Sequence, residues 1–290
     1  LEKQIMNKQK KVLAIQDISC VGRCSLTVVL PILSAAGFNT SILPTAILST
    51  HTGGFKDYTC RDLTRDILPI AIHWQSLGLK FDALYTGFLA SYEQISKISE
   101  IFKTFKGKDT LVMVDPAMAD HGALYAACSA RVVKGMTELC SQADIIVPNV
   151  TEAAFILGQD YIGEECSQEY ITKTLVKLSD LGSPQVVLTG VSLAEGQIGA
   201  AAYDRSSNTF CYAFSERIPG SFHGTGDIFS STLLAGLLNG FALEQALQTA
   251  ADYTHRCIML TVQDGLELRY GLCFEKAIPY LIKRLSLNQG

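Results

Sequence analysis

The chain has 290 residues, 48% of them apolar, with 24 basic and 28 acidic side chains and a net charge of −4. This composition supports a sizeable core and excludes a disordered chain. The mixed charge, broken only by a short basic run at Lys8 to Lys11, argues against a nucleic-acid partner, and no stretch approaches the ~18 apolar residues of a membrane span.

Nine cysteines are scattered without zinc-site or disulfide spacing, so they read as reduced thiols, and no apolar leader precedes the fold; a cytoplasmic protein is expected. Residues 1–10 are expected to form a disordered or non-native tail, and residues 11–290 a single domain.

In chain order, Lys11 to Gln16 is an apolar run suited to a buried strand. A segment rich in glycine and cysteine follows, then a helix from about Ser25 to Ala36. A strand is expected near Ser41 to Leu48, at a sheet edge because Pro44 interrupts it. Arg61 to Leu77 reads as a helix that Pro69 kinks or splits. Next come a strand at Ala83 to Thr86, a helix at Tyr92 to Phe105, a strand at Leu111 to Val114 and a helix from about Ala126 to Cys140. The small residues of Ala117 to Tyr125 suggest a mobile lid. A strand at Asp144 to Val147, a helix opening at Thr151, a helix at Gln168 to Leu181 and a strand at Gln185 to Thr189 continue the alternation. Gly199 to Tyr203 and Thr209 to Phe214 read as an antiparallel pair. Helices near Asp227 to Asn239, Leu243 to Val262 and Phe274 to Leu285 close the chain. Such alternation implies an α/β fold whose mostly parallel sheet is covered on both faces and whose ligands lie at the strands' carboxyl ends.

The sharpest motif is Gly224-Thr225-Gly226-Asp227, directly before an apolar helix. Two glycines at a helix start aim backbone N–H groups at one point, where the helix dipole adds positive potential. A carboxylate beside such an anion site suits phosphoryl transfer to an alcohol: it takes the hydroxyl proton while the amides hold the migrating phosphoryl. In isolation, G-x-G-D is also an ordinary capped turn. Other strand ends add weight. Asp115, with Asp120 beyond it, follows LVMV; Asn149 and Glu152 follow DIIV; Thr189 and Gly190 follow VVL. Asp115, Asp120 and Glu152 suit Mg²⁺, which takes oxygen ligands and keeps waters. The P-loop, protein-kinase and dinucleotide signatures are missing. The five histidines make no metal pattern, and His73 and His255 are expected on helix surfaces.

These motifs resemble the ribokinase superfamily and, within it, the vitamin-B6 kinases, from about Val12 to the last helix. HGTGDIF at His223 to Phe229 resembles the superfamily's anion-hole motif, which implies Asp227 as catalytic base with Gly224, Thr225 and Gly226 around the phosphoryl group. PNVTEA at Pro148 to Ala153 is similar to its second signature, implying Asn149 and Glu152 near Mg²⁺ and phosphates. LSTHTGGF at Leu48 to Phe55 resembles the B6-kinase segment whose Thr, here Thr52, contacts the pyridine ring. YTGF at Tyr85 to Phe88 is similar to their T-G-Y, with Phe88 replacing Tyr. VDPAMAD at Val114 to Asp120 resembles their nucleotide-side acids, and Tyr125 matches a Tyr near ATP.

The resemblance implies a ribokinase-like fold and ATP-dependent phosphorylation of the 5'-hydroxymethyl group of pyridoxal, pyridoxamine or pyridoxine. ATP would contact Asp115, Tyr125, Asn149, Glu152, Thr189 and Gly190. Mg²⁺ would be held partly through water by Asp115, Asp120 and Glu152. A homodimer is implied, and a monovalent-cation requirement is left open. Asp17 departs from the pattern, standing where the better-known members have Ser. Facing the ring nitrogen or the 4-substituent, its carboxylate would favour a pyridinium or the amine of pyridoxamine by roughly 1.5–3 kcal/mol; alternatively it only caps its loop. The other readings are hydroxymethylpyrimidine or another small alcohol as acceptor, and a non-catalytic vitamer-binding protein.

Overall fold

Residues 8–286 are described by the computed structural model. The first strand, β1 (Lys11–Val21), sends Val12 and Ala14 into one apolar layer and Leu13 and Ile15 into the other, the two-residue period of a strand buried on both faces. The chain continues through α1 (Leu26–Ala35), β2 (Asn39–Thr50), β3 (Cys60–Asp62), α2 (Ile67–Ser76), β4 (Ala83–Thr86), α3 (Tyr92–Phe105) and β5 (Leu111–Val114). A small hairpin, β6 (Ala119–Asp120) and β7 (Ala123–Leu124), leads to α4 (Ala130–Cys140), β8 (Ile145–Ile146), α5 (Val150–Leu157) and α6 (Gln168–Asp180). Then follow β9 (Gln185–Val191), β10 (Gln197–Asp204), β11 (Thr209–Glu216), α7 (Thr225–Leu238), α8 (Leu243–Gln263) and α9 (Ile278–Arg284).

The sheet order is β11-β10-β9-β8-β5-β4-β1-β2-β3. Strands β9, β8, β5, β4, β1 and β2 run parallel, while β10, β11 and β3 pair antiparallel with their neighbours. Helices α1, α7, α8 and α9 bury their apolar residues on one face, and α2 to α6 on the other. This is the expected ribokinase-like arrangement. The chain leaves β1 toward β2 and later returns to β1's other side with β4, so the direction of winding switches there. Ligands bind outside the carboxyl ends of strands at such a point. Helix α7 is buried around nearly its whole circumference, since it lies between the sheet and other helices.

Several boundaries differ from expectation. Strand β1 continues past Gln16 to Val21, because Ile18, Ser19 and Val21 keep pairing with β2 beyond a bulge between Gln16 and Ile18. Asp17 therefore lies in a strand. Pro44 stands opposite Gln16 at that bulge, and β2 is one strand in from the edge, flanked by β3. The expected helix start at Arg61 is instead β3, where pairing with Ala46 to Leu48 overrides local preference. Helix α2 begins at Ile67, which puts Pro69 in the first turn, where a missing N–H costs nothing. Helix α4 starts at Ala130, after the loop carrying Tyr125. The suggested lid at Ala117 to Tyr125 is the β6–β7 hairpin, closed by Tyr125 N donating to Met118 O at 2.9 Å. The last helix opens as a 3-10 turn at Glu275–Ala277. Of the expected tail at 1–10, positions 1–7 lie outside the described residues. Gln9 donates to Gly37 O at 3.0 Å, and Lys10 O accepts from Asn39 N at 3.0 Å.

Candidate active site

A crevice of about 330 Å³ opens over the carboxyl ends of the parallel strands. It brings together Asp115, Asp120, Tyr125, Asn149, Glu152, Thr189, Gly190, Thr225 and Gly226 of the residues singled out from the sequence. Gly224, Asp227, Asp17, Thr52 and Phe88 do not line it. The glycine turn therefore has two sides, one toward the crevice and one toward the end of β1.

Gly224 is the N-cap of α7, in the left-handed conformation (φ 80°), with no side chain capping the helix. The first-turn amides thus have no side-chain acceptor and stay available to an anion. A Cβ on Gly224 would lie 2.3 Å from the carbonyl oxygen of Arg23, whereas one on Gly226 would meet nothing within 4 Å. The first glycine permits close packing on the loop after β1; the second leaves the crevice side open.

Asp227, in the first turn of α7, faces that loop. Its Oδ2 accepts a 2.8 Å hydrogen bond from Ser25 N. Burial pushes its carboxyl up to about 7, opposed by the Ser25 N–H and reinforced by the negative charges of Asp115 and Asp17. A group so placed is poised to accept a proton near neutral pH. The Cys24 thiol is held well above its ordinary range by burial and then by Asp227, which disfavours its thiolate.

Asp17 is buried, with Oδ1 accepting from the Ser25 hydroxyl at 2.6 Å and Oδ2 from the Ser19 hydroxyl at 3.2 Å. Burial raises its pKa against the pull of both hydroxyls. Thr52 is exposed on the loop after β2. That loop meets the glycine turn next door: a Cβ at Gly53 would come within 2.5 Å of the His223 ring, and the His51 and His223 ring centroids are 5.1 Å apart. Phe88, just past β4, stands 6.5 Å from the Tyr125 ring, centroid to centroid.

Asn149 and Glu152 form a reciprocal capping box on α5. Asn149 Oδ1 accepts from Glu152 N at 2.9 Å, and Glu152 Oε2 from Asn149 N at 2.8 Å. Glu152 Oε1 also accepts from Met118 N at 3.0 Å, and Asn149 Nδ2 donates to Ala119 O at 2.8 Å, so the pair tethers the β6–β7 hairpin. Asp115 accepts from the Ser230 hydroxyl at 2.7 Å. Both buried acids have raised pKa values, through burial first and, for Glu152, the charge of Asp115 next. A divalent cation with its waters would relieve that crowding, so the donor set fits Mg²⁺. Asp120 is exposed at the hairpin tip, and among the described residues no three His, Cys, Asp or Glu converge into a ready metal cage.

The sequence reading missed the far wall of the crevice. Ala251, Thr254, His255 and Ile258 line it from α8, and Arg217, paired with Glu164 at 2.6 Å, lies at its rim. His255, expected on a helix surface, faces the crevice, and its Nε2 and the Thr254 hydroxyl are buried without a hydrogen-bond partner. The signal was present: these four positions recur at one-face helical spacing, but helix phase alone does not say which face meets a ligand.

Comparison with known proteins assigns the family. Residues 31–271 match the phosphomethylpyrimidine kinase family. The chain is 36% identical to a Bacteroides thetaiotaomicron protein assigned to the phosphomethylpyrimidine kinases, with a TM-score of 0.92 over 96% of each chain; an orthorhombic form of it, crystallised with pyridoxal, matches at 0.91. Pyridoxal kinase from Lactobacillus plantarum is 28% identical, with a TM-score of 0.87 over 97% of this chain and 99% of its own. A hydroxymethylpyrimidine/phosphomethylpyrimidine kinase of Mycobacterium tuberculosis is 26% identical over 254 residues, 86% of this chain and 88% of its own. The chain belongs to the phosphomethylpyrimidine kinase family, in the ribokinase-like group that includes the pyridoxal kinases, and is a kinase of that group.

Proposed function

We propose that this kinase transfers the γ-phosphoryl group of ATP to the 5'-hydroxyl of a vitamin-B6 vitamer. The observation that carries the reading is the two-sided glycine turn: Thr225 and Gly226 line a nucleotide-sized crevice while Asp227 lies on the opposite side, against the end of β1. The acceptor hydroxyl would sit by Asp227, the triphosphate along the crevice, and the migrating group over the first-turn amides of α7. Asp227 takes the hydroxyl proton as oxygen attacks the γ-phosphorus, and ADP leaves with the bonding electron pair. Asp115 and Glu152, with Asp120 at the rim, would hold Mg²⁺ largely through waters, and the ion would neutralise phosphate charge. Thr189, Gly190, Asn149 and Tyr125 would contact the nucleotide, and Thr254 and His255 are free to meet its base. Thr52 and Phe88 would border the acceptor.

A B6 vitamer is favoured because a 36%-identical neighbour was crystallised with pyridoxal and because LSTHTGGF precedes the His223 contact. Hydroxymethylpyrimidine is the second reading, supported by the matched family and the mycobacterial relative. Homodimer formation is carried from the sequence resemblance, and a cytoplasmic location from the scattered cysteines that read as reduced thiols. The test is ATP consumption with Mg²⁺ on pyridoxal, pyridoxamine, pyridoxine, hydroxymethylpyrimidine and ribose. Turnover on a vitamer is expected. Turnover restricted to hydroxymethylpyrimidine or ribose would overturn the acceptor assignment, and none on any acceptor would overturn the proposed reaction.

A further inference from the structure

Ser25 breaks two local rules at once. It is the N-cap of α1, yet its side chain caps nothing. A Ser N-cap normally accepts from the helix's first amides and is worth about 1 kcal/mol. Its backbone stands at φ 54° and ψ −133°, a conformation costly to any residue with a Cβ. Its hydroxyl is spent on Asp17 Oδ1 at 2.6 Å, and its N–H on Asp227 Oδ2 at 2.8 Å. One residue thus joins two carboxylates brought together from β1 and α7. The surrounding loop is clamped as well: Arg23 N donates to Tyr270 O at 2.9 Å, and side-chain-free Gly224 and Gly271 lie against the Arg23 carbonyl.

We infer that Asp17 and Ser25 are positioning residues for Asp227: Asp17 pulls the Ser25 hydroxyl away from the helix cap, which turns the Ser25 N–H onto the base and fixes its rotamer toward the acceptor. Asp17 is then no acceptor contact. Its two oxygens are already engaged by Ser25 and Ser19, and it is 4% exposed. This assignment rests on Asp227 being the base.

The groups facing Asp227 are Asp17 from β1, Cys24 and Ser25 from the following loop, and Asp115 beyond β5. Buried Tyr85 of β4 also senses Asp227 and Asp115. Removing the charge of Asp17 removes one of the groups that holds the Asp227 proton on. Asp17→Asn keeps an acceptor for the Ser25 hydroxyl, turns its NH2 to the Ser19 hydroxyl, which can accept, and loses the charge, so it tests the electrostatic part with little risk to folding. Ser25→Ala tests the mechanical part.

The experiment is a pH profile of kcat and kcat/KM on whichever acceptor the wild-type enzyme turns over, with Asp227→Asn as control. For Asp17→Asn, the acidic limb should move to lower pH by roughly half a unit or more, with acceptor KM nearly unchanged. For Ser25→Ala, kcat should fall by ~10- to 100-fold, with KM for both substrates within about twofold. An unmoved limb would show that Asp17 does not act on the base, and an acceptor KM that rises many-fold while kcat holds would make Asp17 an acceptor contact; either overturns the inference. A fully active Asp227→Asn would sink the base assignment itself, and this inference with it.

Discussion

The carbonyl oxygen of Arg23 lies 2.3 Å from where a side chain on Gly224 would begin, so the anion turn and the loop after β1 meet backbone to backbone. Gly224 also has φ 80°, which a residue with a Cβ adopts at a cost of ~1–2 kcal/mol. Gly224→Ala is expected to lower the melting temperature by several degrees and to cut kcat at least tenfold, because the displaced turn carries both the amides and Asp227. Gly226→Ala, whose Cβ meets nothing in the protein, should leave stability nearly intact and act mainly on nucleotide KM. Thermal unfolding and steady-state kinetics on both variants check the contrast.

Asp227→Ala should reduce kcat by roughly 10²- to 10⁴-fold with little change in either KM, the signature of a lost general base. On the proposed mechanism the carboxylate form is the active one. With the group lifted to about 7, kcat/KM should rise with pH across neutrality rather than below pH 5. An ascending limb near pH 4 would contradict the burial argument.

The same shift makes a statement about stability. An acid raised above its unfolded value of ~3.9 favours the fold while protonated. Its contribution is fully present below that value and is lost as pH climbs through about 7. Asp115 and Glu152 are shifted in the same direction. The ligand-free melting temperature should therefore fall between pH 5 and pH 8. Asp227→Asn should flatten part of that slope, melting a few degrees above wild type at pH 8. Scans at both pH values decide it.

Glu152→Gln keeps the capping-box hydrogen bond to Asn149 N through its amide oxygen, but it turns an NH2 toward the Met118 N–H and removes one of two crowded charges. The lost hydrogen bond from Met118 N should cost about 1–3 kcal/mol of stability, and the Mg²⁺ concentration for half-maximal turnover should rise several-fold. Unchanged Mg²⁺ dependence would leave Glu152 a purely structural cap.

His255→Leu removes a buried ring nitrogen that has no protein partner. If it meets the nucleobase, ATP KM should rise roughly two- to tenfold, the worth of one hydrogen bond, with acceptor KM and kcat unchanged. Initial rates at varied ATP check this directly.

The order of strands and helices, the parallel core of the sheet and the glycine turn at Asp227 were legible in the amino-acid sequence, because each is encoded locally. Short apolar runs such as KVLAIQ and QVVLT, bounded by polar and turn residues, favour buried strands, and G-T-G-D before an apolar helix favours a helix start. The carboxyl-end rule then placed Asp115, Asn149, Glu152 and Thr189 along one crevice. Tertiary structure alone decided what depended on pairing between distant segments. Strand β1 ran on past Gln16 because β2 offered partners as far as Thr50, and Cys60 to Asp62 became a strand because β2 had a free edge. His255 turned inward because of how α8 packs beside β10 and β11. Asp17 and Asp227, far apart in the chain, came to share Ser25 only because α1 and α7 begin at the same corner of the sheet. Hydrophobic periodicity is a property of neighbours along the chain; hydrogen-bond partners across the fold are not.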